Sequence, residues 1–127
     1  IARVLGVFIG GGLGAVARWG VGEAVSRFVS PTVFPAGTML INVTGCLVMG
    51  AAMQTLEARE LLDSTWRLFL AVGILGGFTT FSAFGAETET MFRVGSAGKA
   101  LAYAAASVVL CVAAGWAGRG AARLLGA

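Results

Sequence analysis

The sequence predicts an all-α integral membrane protein with four transmembrane helices in each subunit. Apolar residues make up 57% of 127 positions and charged residues only 12%, and the mean hydropathy is +0.88. A soluble domain of this size cannot hide so much apolar surface. Charge-free runs extend from Val4 to Ala17, Phe28 to Leu56, Leu68 to Ala86 and Ala100 to Gly118, and a span needs roughly 20 mostly apolar residues. The expected spans are 3–27, 33–56, 67–92 and 98–122 in one membrane domain. They use nearly the whole chain, so no soluble catalytic domain is expected. Because every later segment is as apolar as the first, no removable signal is expected either.

The first run is the shortest, but Arg18 alone separates it from the apolar Trp19 to Gly22. Gly6, Gly10 and Gly14 form a small-residue ridge at spacing four, the kind that lets helix backbones touch. It reads first as a packing seam. Arg18 either forms an electropositive vestibule for anions or snorkels to the interface.

On the second span, Asn42 shares a face with Thr38 and Gly45. An amide in hydrocarbon needs partners, so it faces a neighbouring helix as glue or a polar conduit as a ligand.

The third span carries the most unusual segment, Gly76-Gly77-Phe78-Thr79-Thr80-Phe81-Ser82-Ala83-Phe84. Paired glycines and paired threonines propagate a helix poorly, so the third helix is expected to break near its middle, the alternative being tight packing in an unbroken helix. Broken backbone at membrane depth is tolerated only where protein buries it or it lines a cavity. Its carbonyls suit a cation near Gly76 and Thr79. Phe81 and Phe84 share a face, and aromatic edges are electropositive. Two such edges can partner a small anion, although most intramembrane phenylalanines simply pack. Glu87 follows them, at a vestibule or in an ion pair.

On the fourth span, Tyr103, Ser107 and Cys111 recur at spacing four. Hydroxyl and amide donors without mid-membrane carboxylates favour a hydrogen-bond-accepting anion. Cys46 and Cys111 are expected to behave as small hydrophobes with neither disulfide nor metal, and the chain has no histidine. No nucleophile with a base, paired acid and base or phosphate loop is present, so no enzyme is expected.

Threaded alternately, one membrane side receives Arg3, Arg59, Arg67, Arg119 and Arg123, and the other Arg18, Arg27, Arg93 and Lys99. This near balance gives little instruction for orientation. If both orientations form, the expected oligomer is an antiparallel dual-topology homodimer. Four helices also enclose a hydrated path poorly, which independently calls for two subunits.

Taken together, Gly11 to Arg18 with Trp19, Asn42 to Gly45 and Gly73 to Phe84 resemble the signatures of the Fluc/CrcB fluoride channels, with GG-x-TTFS the most specific. These are small proteins of the bacterial cell inner membrane that lower cytoplasmic fluoride. The resemblance runs through the whole chain. It implies an antiparallel dual-topology homodimer with two fluoride pores and a central structural sodium ion. The carbonyls of Gly76 and Thr79 would hold the sodium. Phe81 and Phe84 would line the pores, Asn42 would stand at the pore mouth, and Ser82, Tyr103 and Ser107 would continue a track of donors. Ala83 and Cys111 depart from the usual pattern, where a hydroxyl residue is expected. The competing expectation is a proton-coupled exporter of the small multidrug-resistance type, for which Glu23 and Glu87 are the nearest acids. A non-transporting subunit of a larger complex leaves the GGFTTFS segment without a role.

Overall fold

The computed structural model describes residues 1–127 and is entirely helical. Helix α1 covers Ala2–Ser26 and α2 Ala36–Ala58. The third span divides into α3, residues 65–78, and α4, Phe81–Arg93. Helix α5 covers Ala97–Leu124. All four spans are long and apolar enough to cross a membrane, which makes this a multi-pass membrane protein. Only 15 of 127 residues are buried, so apolar side chains point outward on every helix. Lipid or another subunit is the only surrounding that accepts such a surface.

Helix ends follow local chemistry. The second helix starts at Ala36, later than the 33 expected, because Pro35 sits at its N-cap and holds the preceding residues out of helical geometry. Ser64 caps α3 by accepting from the Arg67 amide at 3.3 Å. Gly95, at φ +79°, ends α4, where the Ser96 amide returns to the Met91 carbonyl at 2.9 Å.

Two glycine seams set the packing. Gly10 and Gly14 of α1 lie directly on the α3 backbone, and a Cβ on Gly14 would strike the Ile74 carbonyl. The ridge is therefore a helix seam, and its third member, Gly6, touches Thr65 and Phe69 at the end of the same contact. A second seam joins α2 to α5, where Gly50 meets Gly115 and Gly118 meets Leu47 backbone to backbone. At its end Arg119 donates to both Glu57 carboxylate oxygens, at 2.5 and 3.2 Å. Both side chains are about one-third exposed, so solvent screens the pair and it adds little to stability.

Along α3, Leu68–Leu75 winds as a π-helix, with the Gly76 amide bonding to the Ala71 carbonyl five residues back. Such wide turns concentrate at functional sites. At Thr79 and Thr80 the backbone becomes extended, with ψ of 158° and 109°. The third helix is thus interrupted, with the extended residues at the two threonines and the glycines still helical.

Candidate functional site: a helix break beside a phenylalanine-lined cleft

The break is built by satisfying the polar groups it releases. Thr79 donates its hydroxyl to the Leu75 carbonyl at 3.0 Å. Thr80 caps α4 by accepting from the Ala83 amide at 3.2 Å. Its own amide donates to Asn42 Oδ1 at 2.8 Å, and Asn42 Nδ2 returns a bond to the Thr80 carbonyl at 3.0 Å. Arg18 Nη1 donates to the Thr79 carbonyl at 3.3 Å. Asn42 thus mimics a strand edge, locking extended backbone that hydrocarbon could not solvate. Gly45 allows the approach, since a Cβ there would collide with Thr79.

Beside the break opens a cleft of about 390 Å³. Asn42, Thr79, Phe81, Phe84 and Ser107 all line it. The Phe81 and Phe84 rings lie 5.4 Å apart at 41°, and Phe84 in turn lies 5.3 Å from Tyr103. Phe81 is 82% exposed, so one cleft wall is open in the single chain. Ser107 Oγ is buried without a hydrogen-bond partner. Asn42 keeps its second amide N–H, because only one is engaged by Thr80. The first turn of α4 borders this space through Phe81 and Phe84, with its Ala83 amide taken by the Thr80 hydroxyl.

Other expected residues lie elsewhere. Ser82 is exposed outside the cleft, 3.3 Å from the Thr80 hydroxyl. Tyr103 is buried behind Phe84 and donates to Glu87 Oε2 at 2.7 Å. Gly76 lies one turn before the break. Its carbonyl loses its normal helical donor, because the Thr80 amide bonds to Asn42.

The sequence model of the family described as CrcB-like protein, Camphor Resistance (CrcB), matches residues 5–119. The chain belongs to this family. It is 48% identical over 119 residues to the fluoride-specific ion channel FluC of Methylobacterium nodulans, covering 94% of this chain and 91% of that one. Against the fluoride-specific ion channel FluC of Caulobacter vibrioides it is 45% identical over 117 residues, 91% of each chain. Against its namesake from Novosphingobium aromaticivorans it is 50% identical over 104 residues, covering 81% and 82%.

In this CrcB-family chain two charged residues left open between roles prove to be built into the helix bundle. Glu87 accepts from Thr38 at 2.6 Å and from Tyr103 at 2.7 Å, joining α2, α4 and α5. Arg18 reaches across from α1 to the break. The sequence signal for Glu87 was available: Thr38 lies one turn before Asn42 on the same face, so the helix that holds the break also holds the carboxylate.

Proposed function

We propose that the chain is a fluoride-selective channel, passive in mechanism, of the bacterial inner membrane. Membership of the family, with relatives of nearly equal length called fluoride-specific ion channels, supports the substrate. The observation that carries the mechanism is the cleft in which a free Asn42 N–H, the partnerless Ser107 hydroxyl and two phenyl rings meet the N-terminus of α4. All are neutral donors or electropositive edges. Fluoride is small and a strong acceptor, so these donors and ring edges offset part of the cost of the water it sheds. Chloride is larger and a weaker acceptor, and gains less. Neutral partners also bind loosely enough to release the ion, which conduction requires. The Ser82 hydroxyl extends the path outward of the cleft, while Tyr103, whose hydroxyl is given to Glu87, backs the Phe84 ring and offers the anion no donor. Nothing in this mechanism makes or breaks a covalent bond, so the reading is of a channel and not an enzyme.

The open wall at Phe81 calls for a second copy, and a loop-charge bias of only five cations against three, with Arg18 set aside, is compatible with an antiparallel homodimer with one path on each side. A sodium ion between the two breaks fits the donor chemistry: the Gly76 carbonyl lacks its helical bond, and Thr79 presents an extended carbonyl. Hard cations take such oxygens. Arg18 occupies one lone pair of the Thr79 carbonyl and leaves the other. The Gly76 and Thr79 carbonyls would hold the ion, and it would supply a positive charge for their oxygens to coordinate.

The test is efflux from liposomes holding only the purified protein, read by a fluoride electrode and, separately, a chloride electrode. Fast fluoride release with no chloride release is expected. Well-folded protein that releases neither ion, or both equally, rejects the reading.

A further inference from the structure

The cleft wall carries three sulfur atoms that fluoride conduction does not use. Cys46 and Met49 are three residues apart on α2 and share a face. Cys111 reaches the same cleft from α5. All three are partly exposed there, and both cysteines are free thiols lining the one cleft. In the sequence each cysteine is a lone apolar residue; only the α2–α5 seam brings the two thiols together.

Thiolate and thioether sulfurs are soft donors that select soft cations such as copper(I). A structural zinc site takes four nitrogen or sulfur ligands, and no cluster of three histidine, cysteine or acidic side chains exists in the chain. Charge points the same way. A net charge inside a membrane is expensive, and one thiolate cancels one monovalent cation. On binding, one thiol gives its proton to solvent and its sulfur bonds the metal. The other thiol and the thioether each donate a lone pair, and no atom changes oxidation state.

We propose that Cys46, Cys111 and Met49 form a site for a soft monovalent cation of the silver(I) and copper(I) class, and that its occupancy closes the conduit beside Phe84 and Ser107. Closure rests on the fluoride-channel reading; binding does not.

Silver nitrate is the probe, in chloride-free buffer with reductant removed. Metal content per chain is measured on purified protein, and fluoride efflux on liposomes. The parent is expected to hold one silver ion per chain, with affinity falling at least tenfold in C46S and in C111S and a few-fold in M49L. Silver is expected to slow parent efflux at least tenfold, reversibly with a competing thiol. The C46S/C111S double variant, compared with its own silver-free rate, is expected to be unaffected. Equal silver binding by parent and double variant overturns the site, and silver bound to a conducting parent without loss of efflux overturns closure. If the parent releases no fluoride at all, the functional reading fails, and the silver content alone decides the site.

Discussion

Asn42 and the backbone of Thr80 exchange two hydrogen bonds, at 2.8 and 3.0 Å, which hold that peptide out of the α-helix. Asn42→Ala removes both bonds and leaves the Thr80 amide and carbonyl unpaired, at a cost of about 2–4 kcal/mol. Thermal unfolding in detergent is expected to show that loss, and liposome efflux to fall at least tenfold. The two phenylalanines separate function from stability. Phe81 is 82% exposed in the single chain, so Phe81→Ile is expected to change the stability of the subunit's own fold by less than about 0.5 kcal/mol. Phe84 packs against the Met91, Ala100 and Tyr103 core, so Phe84→Ile is expected to cost about 1–2 kcal/mol. Both are expected to reduce fluoride efflux at least tenfold; unchanged efflux in either removes its ring from the path.

Among the helices, the α1–α3 seam presses bare backbone against the π-helical stretch that precedes the break. Gly14→Ala puts a methyl group into the Ile74 carbonyl, and overpacking of this kind costs about 1–3 kcal/mol. Gly120, near the end of α5, has no atom within 4 Å of an added Cβ. Gly120→Ala is therefore expected to stabilise by about 0.5–1 kcal/mol through helix propensity. Melting both variants beside the parent checks the contrast. A Gly14→Ala protein as stable as the parent means that the seam is looser than drawn.

For the whole molecule, orientation is the quantity that the charges leave open. Five cationic side chains on one side face four on the other, and Arg18, one of those four, is tied to the break and not to a loop. Two added lysines in the loop after α1, or two added after α2, are each expected to fix one orientation, readable with topology reporters at the C-terminus. Each biased variant alone is expected to give little fluoride efflux, and coexpression of the two to restore it. Full activity from one biased variant by itself means that the working assembly is parallel or monomeric.

Four spans, their order and the interruption of the third were legible in the chain because apolar length and helix-breaking composition are local properties. So were the phenylalanine pair and Asn42, which stand out as unusual residues in hydrocarbon. What only the tertiary structure decided is partnership. Asn42 could be glue or ligand by sequence, and here its amide braces the break and keeps one N–H toward the cleft. Tyr103 counted as a donor on its helix face, yet its hydroxyl is engaged by Glu87, a carboxylate drawn into the bundle by Thr38. Two cysteines 65 positions apart share one wall. Periodicity assigns a residue to a face, but which face meets which neighbour depends on backbone approach at Gly14, Gly45, Gly50 and Gly118, and that approach exists only once the helices have packed.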